Sequence, residues 1–255
     1  ESFTIRLAGQ YFTICPVCDY IREYCKDYIV ADDAEDAMRF RIATTLSDID
    51  FEREKSARED IKEGIPIRRF SDAYLETLAV YRKIADCLLS CDTLLFHGSV
   101  IAVDGEGYLF TAKSGTGKST HTRLWREYFG ERAVMVNDDK PLLHITDSGV
   151  TAYGTPWDGK HRLSTNTAVP LKGICILTRN AKNHIEPVEP HAVYPLIVQQ
   201  TNRSLSADGM KHTLSLIDSM LHVVPVYRLG CNMDIEAARG AYEGMNRLKN
   251  RRKDT

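Results

Sequence analysis

The sequence lacks any apolar run approaching the ~20 residues that cross a bilayer, and its N-terminal stretch has no basic segment followed by an apolar one. These absences set the expectations that no membrane is involved and that the location is cytoplasmic. Charge of one sign is also missing: 33 Lys and Arg against 35 Asp and Glu leave a formal net charge of −2, with the signs interspersed. A polyanion binder needs a basic excess, so nucleic acid is not expected as a partner. The short basic tail Lys249 to Lys253 reads as a solvated helix end, where cations suit the C-terminus. Seven scattered cysteines, an odd number in 255 residues, do not make a disulfide framework, and reduced thiols are the expectation. Internal repeats and low-complexity tracts are absent as well.

The patterning divides the chain into two parts, 1–92 and 93–255. In the first, Phe3, Ile5 and Leu7 alternate with polar neighbours, Tyr11 to Ile14 reads as a second strand, and Met38 to Ala43 as a third. Val17, Tyr20, Ile21, Tyr24 and Tyr28 recur at helical spacing, Asp32 to Asp36 is acidic and loop-like, and Ser47 to Glu63 is too charged to be buried on all sides. Ser71, followed by apolar residues from Leu75 to Leu89, marks a capped amphipathic helix ending near Cys91. This is a small α+β domain. The second part opens with a β-rich hairpin through Leu94 to Val103 and Tyr108 to Thr111. A helix over Thr122 to Phe129 and a strand over Ala133 to Val136 follow, and Leu142 to Ile145 with Val150 to Tyr153 form a hairpin about Asp147-Ser148-Gly149. Strands over Gly173 to Leu177 and Pro225 to Leu229, helices within His191 to Gln200 and Asp208 to Val223, and a terminal helix capped by Asp234 complete a mixed, β-rich α/β domain.

The densest chemical signal is the run Leu109 to Thr120: an apolar strand, then Ser114, Gly115, Thr116, Gly117, Lys118, Ser119 and Thr120, then a helix. Two glycines let backbone amides turn inward around phosphate oxygens, Lys118 supplies a point charge to the outer phosphates, and the Ser119 hydroxyl is placed to ligate Mg²⁺. The usual pattern starts with Gly; here that position is Ala112, which excludes the Gly-only backbone conformations. The expected cofactors are ATP and Mg²⁺.

About twenty residues beyond the loop, the apolar strand Val134-Met135-Val136 ends in Asn137-Asp138-Asp139. Two carboxylates at a strand end next to a nucleotide can divide the work, one holding Mg²⁺ and the other accepting a proton from an attacking hydroxyl. The competing reading of such a pair is a solvated turn. His97 stands inside an apolar hairpin strand beside Gly98, so it either faces the site or is a core histidine bonded to backbone. The loop 154–162 carries two glycines, Trp157, Lys160 and Arg162. It reads equally as a substrate or γ-phosphate loop, with Trp157, Lys160 and Arg162 on the substrate, and as a turn with Trp157 packed on the core. Arg179 has a weaker claim.

His97-Gly98, a β-hairpin, Ser114-Gly115-Thr116-Gly117-Lys118-Ser119 and Asp138-Asp139, in that order, resemble the HPr kinase/phosphorylase family and its relatives among the ATP-dependent phosphoenolpyruvate carboxykinases. The resemblance covers Leu94 to Leu177. It implies an HPr kinase-like nucleotide-binding fold and a kinase that transfers the γ-phosphoryl group of ATP to a hydroxyl. By the same resemblance Lys118 binds phosphate, Ser119 and Asp138 ligate Mg²⁺, Asp139 is the base and His97 its electrostatic partner. The resemblance also points to a homo-oligomer, since relatives in the HPr kinase family assemble into closed oligomers. The departures are the Ala112 substitution, an N-terminal part that does not match the family's, the absence of its HPr-binding signature, and a chain too short for a carboxykinase. The acceptor is therefore left as a peptide, a protein or a small molecule, as among compact kinases of this superfamily that act on peptide hydroxyls.

Two other functions fit parts of the sequence. A regulator that senses ATP without transferring phosphate would need the loop but not the acid pair. A zinc-stabilised adaptor would use Cys15, Cys18 and Cys25, but these three thiols lack an obvious fourth ligand, and small buried hydrophobes are the simpler reading.

Overall fold

A computed structural model describes residues 1–31, 39–113, 115–159 and 161–253. The acidic segment Asp32 to Asp36, Ser114 and Lys160 lie outside the described residues, as do the side chains of the basic tail. The chain forms two units, Glu1–Leu88 and Leu89–Thr255.

In the first unit, β1 (Phe3–Leu7) and β2 (Gln10–Cys15) form an antiparallel hairpin, and β3 (Arg39–Ala43) joins β2 in parallel. The alternation read at Phe3, Ile5 and Leu7 puts all three in the core. The helical spacing from Val17 to Tyr28 is realised only as α1 (Tyr20–Tyr24) and a 3₁₀ turn over Lys26–Tyr28, with Val17 half exposed. A buried acid sets the path of that segment. Glu76, on α3 (Asp72–Leu89), accepts the backbone N–H of Val17 at 2.6 Å and of Cys18 at 2.8 Å, and also bonds the Thr44 hydroxyl. The Cys-Pro-Val-Cys turn is thus held by a carboxylate, and Cys15, Cys18 and Cys25 are free thiols. The charged stretch from Ser47 is the 18-residue α2 (Leu46–Glu63), started by a reciprocal Thr45–Asp48 capping box and stopped by Gly64 in the left-handed conformation.

The second unit is built on a forked sheet. Its central strand, β10 (Ala168–Arg179), pairs through Ala168–Pro170 with β9 (Gly149–Tyr153), beyond which lie β8 (Leu142–Thr146) and β4 (Thr93–Leu95). The other half of β10 runs parallel to β6 (Glu106–Thr111) on one side and β12 (Val226–Cys231) on the other. Past β6 come β5 (Ser99–Val103) and β7 (Ala133–Asn137), and β11 (His184–Pro187) edges β12. Two apolar cores lie within this unit. One joins α5 (Pro190–Gln200) and α6 (Ala207–Val223) to sheet residues including Val100, Leu109, Ile174 and Val226. The other joins α4 (Lys118–Phe129) and α7 (Glu236–Lys253) to Ile101, Tyr108, Phe110 and Tyr227.

Candidate functional site

Strand direction brings the chemistry to one edge. β6, β10 and β12 are parallel, and β5 is antiparallel to both β6 and β7, so β6, β7, β10 and β12 all end at the same side of the sheet, where β5 begins. The glycine loop leaves the end of β6, Asp138 and Asp139 follow β7, Arg179 ends β10, and His97 precedes β5. This is the edge at which ligands gather in open α/β sheets.

Gly115 (φ 74°) and Gly117 (φ 116°) take left-handed backbone conformations, and a Cβ at either would meet open space. Their glycine character serves the turn of the loop rather than close packing. Ala112 is buried and has no left-handed φ, so the missing first glycine costs the loop nothing at that position. Gly117 is the N-cap of α4, whose first turn is Lys118, Ser119 and Thr120, with no side-chain cap and no acid. Such a helix end offers unpaired N–H groups and the positive end of the dipole to an anion. Its placement is fixed from behind: Trp125 stacks among Tyr108, Phe110, Phe129 and Tyr242 at centroid separations of 5.0–6.0 Å. From in front, Arg179 donates its Nη2 to the Gly115 carbonyl at 2.6 Å. Sequence reasoning gave Arg179 only a weak claim because its contact depends on β10 lying next to β6.

His97 and Asp139 meet. The His97 Nε2 lies 3.3 Å from Asp139 Oδ1, both side chains partly open to solvent. Their backbones are pinned: His97 N–H donates to Gln200 O at 2.7 Å, and Gly98 N–H to Asp139 O at 2.9 Å. A Cβ on Gly98 would sit 2.9 Å from the Phe110 carbonyl, so this close approach requires glycine. Burial pushes the Asp139 carboxyl up, but the His97 contact and the charges of Lys140, His97 and Lys118 outweigh it and hold the carboxyl below its ordinary value. Burial lowers the Lys118 ammonium from its own ordinary value, with Asp139 opposing the shift. Asp139 therefore meets the imidazole and feels the charge of the loop lysine.

Asn137, quoted in the motif without a role, organises the turn. Its Oδ1 accepts the N–H groups of Asp139 at 2.9 Å and Lys140 at 2.6 Å, and its amide donates to Thr155 Oγ1 at 3.0 Å. Asp138 is turned the other way and is 6% exposed; its Oδ1 accepts the N–H of Gly159 at 2.5 Å. The loop 154–162 is thereby tied to the acid pair. Within it Trp157 is buried, with 1% of its surface exposed. Arg162 pairs with Asp158 at 3.0 Å and donates to the Pro156 carbonyl at 3.1 Å, which makes it a brace of the loop.

Beside the first turn of α4 lies a cavity of about 610 Å³, lined by Thr116, Thr120, His121, Asn180 and Asn232 among others. Burial lowers His121 to about 4, so the ring is neutral, and its Nε2 accepts Trp125 Nε1–H at 3.0 Å. That bond assigns the remaining proton to Nδ1, which has no partner among the described residues. For a metal, no cluster of three or more His, Cys, Asp or Glu able to hold an ion occurs among the described residues. Mg²⁺ needs less: with nucleotide phosphates and waters it takes one or two protein oxygens. The Ser119 hydroxyl and the Asp138 carboxylate, whose Oδ2 has no partner among the described residues, are donors of that hard-oxygen kind.

No protein-family model matches the chain, and no curated protein matches it. Among solved structures it is similar to the HPr(Ser) kinase/phosphatase from Coxiella burnetii, at 12% sequence identity and a TM-score of 0.33, covering 63% of this chain and 99% of that one. Among the described residues no helix is long and apolar enough to cross a membrane.

Proposed function

We propose that the chain is an ATP- and Mg²⁺-dependent kinase that transfers the γ-phosphoryl group to a hydroxyl of a peptide, protein or small-molecule acceptor. The observation that carries this reading is Asp139: an ionised carboxylate 3.3 Å from His97, influenced by Lys118, on the edge where the phosphate loop turns. A pure nucleotide sensor has no use for a base there. Gly115 to Thr120 would wrap the phosphates, Lys118 would meet the outer ones, and the 610 Å³ cavity would take the nucleoside. Mg²⁺, held by Ser119 and Asp138, would neutralise charge on the outer phosphates. In the transfer the bond from γ-phosphorus to the β,γ-bridging oxygen breaks and one to the acceptor oxygen forms. The acceptor proton passes to Asp139, and ADP leaves. His97 would orient the carboxylate.

The test is calorimetry with MgATP together with ADP release measured on the wild-type chain. Lys118→Ala should weaken binding or turnover. Asp139→Asn should keep MgATP binding and lower turnover about 10²-fold or more, whereas Asp138→Asn should raise the Mg²⁺ concentration required. Equal turnover in all four proteins would remove the site from the mechanism.

A further inference from the structure

A second cavity, of about 720 Å³, adjoins the first and shares Thr116 and Arg179 with it. Its lining includes Lys113 at the loop entry, Thr178 and Arg179 at the end of β10, Arg228 of β12 and Leu196 of α5. Three of these are cations and none is an acid. The Lys113 ammonium has no partner among the described residues. Arg179 uses Nη2 and Nε on the carbonyls of Gly115 and Thr116, which leaves the other N–H groups of its fork. Among the described residues Arg228 forms one ion pair, with Glu186 at 3.8 Å on an exposed edge, a pair that contributes little and is easily exchanged.

The position matters as much as the charge. Leu196 stands four residues before Gln200, whose carbonyl receives the His97 N–H, so one helical turn of about 5.4 Å separates this wall from the backbone that carries His97. The Leu196 wall of the cavity therefore belongs to α5, the helix whose last residue anchors the His97 backbone. The cavity is also far larger than a phosphate or carboxylate group requires, leaving room for the body of a small acceptor.

Resting on the kinase reading above, we infer that the acceptor carries an oxyanion, a carboxylate or a phosphate. Lys113, Arg179 and Arg228 hold this group while the acceptor's hydroxyl reaches Asp139. A forked guanidinium pair with an ammonium is the donor set that recognises planar or tetrahedral oxyanions. The site selects acceptors by charge at one end and by hydroxyl position at the other.

Calorimetry on the full chain tests this, with the phosphate loop first saturated by Mg²⁺ and the non-hydrolysable ATP analogue AMP-PNP so that added anions cannot bind there. Inorganic phosphate and succinate are then titrated separately. At least one should bind, about fivefold or more weakly in Arg228→Gln and in Lys113→Gln, and more tightly in Glu186→Gln, which frees Arg228. Binding of phosphate alone assigns a phosphorylated acceptor; binding of succinate assigns a carboxylate. Thermal melts establish that each variant is folded, and Lys211→Gln, an exposed change on α6, is the control. Absence of binding by both anions to the AMP-PNP-loaded protein, or equal affinity in wild type and both cation variants, overturns the inference while leaving the kinase reading intact. If AMP-PNP itself does not bind, the kinase reading falls, and this inference with it.

Discussion

Gly159 donates its N–H to Asp138 Oδ1 at 2.5 Å and approaches so closely that a Cβ on it would lie 2.6 Å from Oδ2. The atom in the way belongs to the carboxylate proposed above as a Mg²⁺ ligand, so the fold can accept a larger residue only by moving that carboxylate. Gly159→Ala is predicted to leave the melting temperature within a few degrees but to lower turnover at limiting Mg²⁺ by about tenfold. Gly154→Ala is the contrast. There the new Cβ would meet the Thr165 and Val136 carbonyls at 1.9 and 2.7 Å, both fixed backbone, and a loss of about 3 kcal/mol or more in stability is expected. Thermal melts and an ADP-release assay separate the two; a stable, fully active Gly159→Ala at low Mg²⁺ would remove Asp138 from metal binding.

Arg179 clasps the loop from the neighbouring strand, through Gly115 O at 2.6 Å and Thr116 O at 3.5 Å. In the phosphate-binding reading proposed above the loop amides turn towards the phosphates and these carbonyls turn away, and the guanidinium would support that arrangement. Arg179→Met is predicted to weaken MgATP binding about tenfold. Arg179→Lys should recover little, because one ammonium on a flexible stem does not reproduce a fork across two carbonyls. Calorimetric titration reads both, and wild-type affinity in Arg179→Met would make the contact incidental.

The turn of Gly115 and Gly117 after β6 and the Asp138–Asp139 turn after β7 were legible from their residue types, and the strands beside them from alternation. What escaped is instructive. β10 is one apolar run in sequence but serves two branches of a sheet, and nothing in a single strand's pattern announces that its first three residues pair elsewhere. β11 is short and mostly exposed, without alternation to betray it. α2 hid behind its charge: only Ile49, Glu52 and Asp60 are buried, although Thr45 and Asp48 carried a capping-box signal. Gly159 and Arg179 owe their roles to neighbours 21 and 64 residues away, a relation that only the folded topology supplies.

Glu76 explains the cysteine pair in the first unit. Burial, followed by the charge and hydrogen bond of Glu76, raises the Cys18 thiol above its ordinary value, which suppresses thiolate at neutral pH. Glu76→Gln should therefore make Cys18 react faster with a disulfide reagent at pH 8. It should also cost about 2–3 kcal/mol, since an amide nitrogen would face backbone donors that now meet a carboxylate. A timed thiol titration with a chemical melt checks both; slower modification of Cys18 in the variant would show that burial alone sets its reactivity.

The pH behaviour of Asp139 follows from its surroundings. Its carboxyl is held below the ordinary aspartate value of 3.8 because the His97 contact and the charges of Lys140 and Lys118 prevail over burial. A depressed folded-state pKa contributes stability that is present above the unfolded value and is lost as pH falls through the folded one. The same carboxylate stays ionised, and able to accept a proton, across the whole neutral range. Removing one of the cations should move the titration upward. Lys140→Gln keeps the backbone N–H that Asn137 receives and deletes only the charge, so the Asp139 midpoint is predicted to rise towards 3.8, and high salt should shift the wild type in the same direction by screening. Carbon-13 NMR of labelled aspartate carboxyls, with the resonance assigned by its loss in Asp139→Asn, follows the titration directly. ADP release over the same range should show its acid limb moving up with it. A midpoint that falls in Lys140→Gln, or an acid limb that moves independently of it, would assign the catalytic proton to another group.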